Sequence, residues 1–202
     1  MQCRRLGNIP IDVQKMNIDM LSLSGHKIYA PKGMGLLYKS KDVRIKPIMY
    51  GSNNEFRPGT PNLPGIVSLS KAIRLATEDL AKKENKIKSL NDKVVKYLKK
   101  YPNILINKTS YSIPNILNIS LMDIKPETFI HALEKHDVYI SSNTACSSGK
   151  ISNAVLSIYG DKVRALTTIR ISLSFLTTYE EIDKFLQIFD EVYNKLEELN
   201  HD

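Results

Sequence analysis

The sequence predicts a layered α/β protein. Strand-like patterns at residues 18–23, 116–121 and 168–173 alternate with helical patterns at about 63–100, at 127–136 and from about 178 onward. The apolar fraction of 42% over 202 residues is ample for a packed core, arranged as one large or two small domains. No internal repeat or low-complexity tract interrupts this rhythm.

Taken in order, residues 7–14 lead into Ile18-Asp-Met-Leu-Ser-Leu23, whose apolar and polar residues alternate as in a half-buried strand. Gly35 to Lys39 form a second short strand pattern. Residues 40–61 are a polar loop rich in Gly, Asn and Pro, closed by the turn signal Arg57-Pro58-Gly59-Thr60-Pro61-Asn62. A long helical pattern follows from about 63 to 100, carried by residues such as Leu69, Ile73, Ala76, Ile87, Leu90, Val94 and Leu98, and ended by Pro102. Ile116–Leu121 reads as a strand, 127–136 as a helix, Val138–Ser141 as a strand and Thr168–Leu173 as another. The last helix begins near Thr178, which has capping-box spacing to Glu181, and presents Ile182, Phe185, Leu186, Phe189, Val192, Tyr193 and Leu196.

Composition narrows the function. The net charge is +8, yet the lysines are spread along helical segments among Glu and Asp, with no interleaved aromatic platform. This pattern predicts a solvated surface and no nucleic-acid partner; the positive excess also helps attract an anionic cofactor and substrate. No apolar run nears the roughly 18 residues that span a bilayer, and Arg4 and Arg5 precede no apolar signal segment. No membrane association is therefore expected, and the expected location is cytoplasmic. Cys3 and Cys146 are too few for a disulfide framework, and no Cys/His cluster has metal-ligand spacing, so no metal is expected.

Three places carry chemistry. In Ser22-Leu-Ser24-Gly25-His26-Lys27, the histidine and lysine fall where a strand gives way to a Gly- and Pro-punctuated loop. A lysine there can be desolvated into a nucleophilic amine that forms a Schiff base with a carbonyl, while Ser24, Gly25 and His26 can approach a phosphate; a solvated loop lysine is the alternative. Cys146 lies in the small polar stretch Ser141-Ser-Asn-Thr-Ala-Cys-Ser-Ser-Gly149, where nothing buries it. An accessible thiol that ionises attacks sulfur centres; an inert thiol is the alternative. Arg170 sits mid-strand among apolar residues and needs an anionic partner, either a ligand carboxylate held bidentately or a structural salt bridge.

The string Ser22-x-Ser24-Gly25-His26-Lys27-x-Tyr29-x-Pro31-Lys32-Gly33-x-Gly35 resembles the lysine motif of class V pyridoxal-phosphate enzymes, most closely that of the cysteine desulfurases. The resemblance implies that Lys27 anchors pyridoxal 5'-phosphate covalently and that Ser24 and His26 contact its phosphate. Arg57-Pro-Gly-Thr60 is similar to a family loop whose threonine reaches the phosphate of the neighbouring subunit. Thr60 thus implies a homodimer, although the residues read equally well as a helix N-terminal turn. Ser141-Ser142-x-x-Ala145-Cys146-x-Ser148 is similar to the loop in which the cysteine takes up substrate sulfur as a persulfide. Ile169-Arg170-x-Ser172-Leu173 is similar to the strand whose arginine holds the substrate carboxylate. Asn115 in Pro114-Asn115-Ile116 fits an architectural segment, and His131, His136 and His201 match no functional position and are expected at the surface.

The resemblance covers nearly the whole chain and about the second half of a desulfurase. It implies the end of a large cofactor domain of fold type I, class V aminotransferase-like, over 1–62, a long connecting helix over 63–100 and a complete C-terminal small α/β domain over 101–202. The implied activity is removal of sulfur from L-cysteine, leaving L-alanine and an enzyme persulfide for iron-sulfur cluster or thio-cofactor assembly through a sulfur-acceptor scaffold protein. Alternatives are a class V aminotransferase or lyase without a cysteine nucleophile, and a non-catalytic portion that only folds or dimerises. The family's Asp-x-x-Gln, which meets the cofactor ring, falls by ungapped counting from Gly7 on Met1 and Arg4. Neither supplies those contacts, so the 202 residues by themselves are expected to hold the cofactor weakly.

Overall fold

A computed structural model describes residues 6–50, 56, 58–142 and 151–201, with residues 200 and 201 described by backbone alone. The chain divides into two compact units, Met1–Lys82 and Lys83–Asp202.

In the first unit, β1 (Met20–Ser24) and β2 (Gly35–Lys39) pair antiparallel, from Met20 opposite Lys39 to Ser24 opposite Gly35. β1 buries Leu21 and Leu23 and turns Met20, Ser22 and Ser24 outward, as its alternation predicts. A 3₁₀ turn, Gly25–Ile28, follows β1 directly. Helix α1 (Leu63–Thr77) begins at Asn62, whose side chain accepts a hydrogen bond from the Gly65 amide at 3.1 Å, with proline in its first turn. It lays Gly65, Leu69, Ala72 and Ala76 against the β1–β2 pair and the 3₁₀ turn, closing a small core with Leu21, Leu23, Ile28 and Ala30.

The helical pattern expected to run unbroken from 63 to 100 is two helices. α1 stops at Thr77 and α2 covers Leu80–Leu98, because Glu78 turns extended (φ −61°, ψ 137°) and Asp79 adopts the left-handed region (φ 50°), which Asp tolerates better than most residues. The division between the compact units falls in the first turn of α2.

The second unit is built on an antiparallel three-stranded sheet. The central strand β4 (Ile116–Leu121) pairs with β3 (Ile104–Asn107) on one side and β5 (Thr168–Ser172) on the other. One face of the sheet is covered by the apolar stripes of α2, α3 (Pro126–Glu134) and α6 (Tyr179–His201). Leu90, Val94, Leu98, Phe129, Leu133 and Phe189 there join Ile119, Leu121 and Ile169, and none of these has any accessible surface. The capping box predicted for α6 is present: the Thr178 amide donates to the Glu181 carboxylate at 2.8 Å and the Glu181 amide to the Thr178 hydroxyl at 3.1 Å.

Four further segments differ from the sequence reading. β3 and the short helices α4 (Asn153–Tyr159) and α5 (Lys162–Leu166) are additional to the elements read from the periodicity. Val138–Ser141 is not a strand: only Ser141 bridges to Arg170, and Tyr139 is exposed. Asp137, left-handed at φ 58°, ends the turn after α3. Among the described residues no helix is long and apolar enough to cross a membrane, and no cluster of His, Cys, Asp or Glu is arranged to hold a metal.

Candidate functional site

The site residues named above lie in both units. Ser24, His26, Lys27 and Thr60 belong to the first, Arg170 and Cys146 to the second. Cys146 and Arg57 fall outside the described residues, as do Met1, Cys3 and Arg4.

Lys27 is presented by the 3₁₀ turn. The turn is held from beneath by Gly25 and Ile28, both buried, and by a hydrogen bond from the Gly25 amide to the Met34 carbonyl at 2.8 Å. A second bond, from the Ala30 amide to the Gly25 carbonyl at 3.1 Å, closes it, and Tyr29 takes the left-handed conformation that ends it. Gly25 is required by space: a Cβ there would lie 2.9 Å from the Met34 carbonyl oxygen, 3.0 Å from Leu69 Cδ1 and 3.1 Å from Ala30 Cβ. The buried positions 25 and 28 leave His26 and Lys27 pointing out, both exposed. The desolvated lysine of the sequence reading is therefore not what these residues build; a turn two residues deep buries its first and last members and exposes the pair between. The Lys27 amine has no hydrogen bond or ion pair among the described residues. Beside it the Ser24 hydroxyl and His26 Nδ1 are 2.9 Å apart, so serine and imidazole are held together on the same exposed edge.

Thr60 is exposed, two residues before the true cap of α1, and makes no hydrogen bond among the described residues. The capping role that Gly-Thr offered in sequence is taken by Asn62. Adjacent Gly59, at φ 119°, adopts a conformation that side-chain-bearing residues rarely reach.

Arg170, in β5 opposite Asn118, is half-buried. Its guanidinium has one hydrogen-bond partner among the described residues, the Ser141 hydroxyl, 3.3 Å from Nη2. Among the described residues its Nε is buried with no partner and no carboxylate forms an ion pair with it. A structural salt bridge is thus not its arrangement here. A half-buried cation with an orphaned donor favours an anion able to take two parallel N–H bonds. Ser141, which the sequence reading assigned no role, is bound to the same residue through its backbone: the Arg170 amide donates to the Ser141 carbonyl at 2.6 Å, and the Ser141 amide to the Arg170 carbonyl at 3.3 Å. Ser142 follows, its carbonyl accepting from the Thr168 hydroxyl at 3.4 Å. The predicted strand at 138–141 was the one signal that could have placed this segment beside Arg170.

The Ser152 amide donates to the Ala165 carbonyl at 2.9 Å, tying Ser152 to α5. α5 is in turn fastened to the sheet by Arg164, whose Nε donates to Asn107 Oδ1 at 2.6 Å and Nη2 to the Ile106 carbonyl at 3.0 Å, with Tyr159 stacked on its guanidinium at 3.5 Å. His131 is a surface residue as expected, paired with Glu134 at 2.9 Å; Asn115 contributes its carbonyl to Leu173 at 2.8 Å, an architectural contact.

The sequence pattern described as Aminotransferase class-V matches residues 3–185. The chain belongs to that family. It is similar to the cysteine desulfurase IscS of Methanosarcina thermophila, 35% identical over 200 residues that are 96% of this chain and 50% of the relative. It is likewise similar to cysteine desulfurase 2 of Trichormus variabilis, 39% identical over 95% of this chain and 49% of that protein. Among solved structures, a NifS-like protein superposes with a TM-score of 0.81 at 33% identity, over 94% of this chain and 50% of its own. A NifS-like protein from Rickettsia africae gives 0.80 at 30% identity. The mixed α/β fold is therefore that of NifS-like class-V proteins, and the chain spans about half the length of the curated relatives it matches.

Proposed function

We propose that this class-V chain carries the cofactor lysine, substrate arginine and sulfur-accepting cysteine of a pyridoxal-phosphate-dependent cysteine desulfurase. The observation that supports it most directly is the outward-facing Lys27 on a turn whose buried Gly25 and Ile28 fix it, next to the Ser24–His26 pair. That donor set, a primary amine beside a hydroxyl and an imidazole, fits an aldehyde that also bears a phosphate. Lys27 would hold pyridoxal phosphate covalently, Ser24 and His26 would bind its phosphate, and Thr60 would reach the phosphate in a second copy, making a homodimer.

Pyridoxal phosphate, when bound, supplies the electron sink that makes the bonds at the substrate's α- and β-carbons labile. The chain's own residues do the rest. Arg170 orients L-cysteine by its carboxylate through the donors its environment leaves unmatched. Lys27 Nζ accepts and returns the substrate's proton. Cys146 Sγ, as thiolate, attacks the substrate sulfur: an S–S bond forms, the carbon–sulfur bond breaks, its electron pair stays on the carbon and is protonated, and L-alanine leaves a persulfide on Cys146. Cys146 follows Ser142 by four residues, so chain length alone keeps their Cα atoms within about 14 Å. The sulfur then passes to an acceptor scaffold protein for iron-sulfur cluster or thio-cofactor assembly, in the cytoplasm.

Borohydride reduction in the presence of pyridoxal phosphate, followed by peptide mapping, tests the assignment: the pyridoxyl group is expected on Lys27, and finding it on Lys32 overturns the reading. In an assembly competent for turnover, Cys146→Ala abolishes sulfide release while L-cysteine still binds. Sulfide release that survives this substitution replaces the desulfurase with a lyase that needs no protein thiol. Arg170→Ala weakens L-cysteine binding by about 2–5 kcal/mol, the range for breaking a buried charge pair.

A further inference from the structure

We infer that Ser141 is the positioning residue that sets the Arg170 guanidinium for an α-carboxylate; this rests on the carboxylate-binding reading of Arg170. Arginine side chains have four rotatable bonds, and a guanidinium without fixed partners spends its binding energy on losing that freedom. Among the described residues the Arg170 guanidinium has a single anchor. The bridge between Ser141 and Arg170 uses both backbones, at 2.6 and 3.3 Å, and so fixes where the serine Cβ stands irrespective of its side chain. From that position the hydroxyl reaches Nη2 at 3.3 Å.

The consequence is a division of the guanidinium's donors. Ser141 occupies one hydrogen of Nη2 and, being neutral, leaves the positive charge uncompensated. Among the described residues Nε is buried without a partner, a state that costs free energy until an acceptor arrives. A carboxylate satisfies it in a way that a single water does not, since it offers two oxygens to parallel donors and a compensating charge. A carboxylate side chain at 141 would neutralise Arg170 and an alanine would release it. Serine is the residue type that orients the cation without matching its charge.

The hydroxyl can be removed without disturbing the bridge, which makes Ser141→Ala a clean probe, and Ser141→Thr restores the hydroxyl on a residue suited to extended backbone. The readout is the Arg170 Nε–H resonance of the full 202-residue chain labelled with ¹⁵N, assigned by its disappearance in Arg170→Lys, during titration with L-alanine as a carboxylate probe. In the wild type and Ser141→Thr, the signal is expected to persist in slow exchange and to move as the probe binds. In Ser141→Ala it broadens through faster guanidinium rotation and the apparent affinity falls about tenfold, with the melting temperature unchanged. Equal affinity in the wild type and Ser141→Ala overturns the role of Ser141 while leaving Arg170 as the carboxylate site. A wild-type signal that ignores L-alanine at any concentration overturns both, even where Ser141→Ala frees the guanidinium.

Discussion

Gly25→Ala is the sharpest perturbation of the lysine turn. Gly25 does not occupy a left-handed conformation, so the cost comes from crowding alone. The added Cβ meets a backbone oxygen, Met34 O, at 2.9 Å, and that oxygen is the acceptor for the Gly25 amide itself. The Met34 backbone cannot retreat without lengthening the hydrogen bond. Overpacking of this kind costs about 1–3 kcal/mol, and a lost backbone bond about 0.5–1.5 more, for a total of about 2–4 kcal/mol. Native-state hydrogen exchange over residues 20–39 reads this locally, and that loss corresponds to exchange about 30- to 1000-fold faster. Lys27 is displaced with its turn, so pyridoxyl labelling at Lys27 falls in parallel. Gly33→Ala is the control. It stands at φ 88° with no atom within 4 Å of its would-be Cβ, so it carries only the strain of a left-handed alanine, about 1–2 kcal/mol, and leaves the turn in place. Exchange at the wild-type rate and full labelling at Lys27 in Gly25→Ala would refute the claim that Gly25 is what places the lysine.

Two further predictions concern the second unit. Phe189 has no accessible surface and touches Phe129 edge-on at 4.9 Å, Phe185 at 5.8 Å and Tyr193 stacked at 6.1 Å. Phe189→Ala should therefore cost about 3–5 kcal/mol in urea unfolding, whereas an exposed change such as Tyr111→Ala should cost less than about 0.5 kcal/mol. Burial, with the negative charges of Glu197 and Asp123, pushes the Tyr193 hydroxyl up to about 12. A folded value above the ordinary one of about 10 means that the stability it contributes is complete below pH 10 and is lost as pH rises toward 12, so Tyr193→Phe should flatten the alkaline limb of the stability curve.

Much of the framework was legible before any coordinates, because it rests on local rules. The alternation in 18–23 became β1, the Thr178–Glu181 spacing became a capping box, and the stripe from Ile182 to Tyr193 became the core-facing side of α6. The Lys27 motif was readable as a string for the same reason: neighbouring residues specify a turn. Tertiary structure decided what depends on partners far apart in the chain. That Gly25 lies against Met34 and Leu69, and that Lys27 stands exposed beside it, follow from packing of α1 on the first sheet. The environment of Arg170 was equally beyond periodicity. Sequence shows only a cation among apolar residues, and Ser141, 29 positions away, decides how that cation is held. Spacing along the chain reports faces and caps, whereas which donor remains unmatched depends on which backbone arrives beside it.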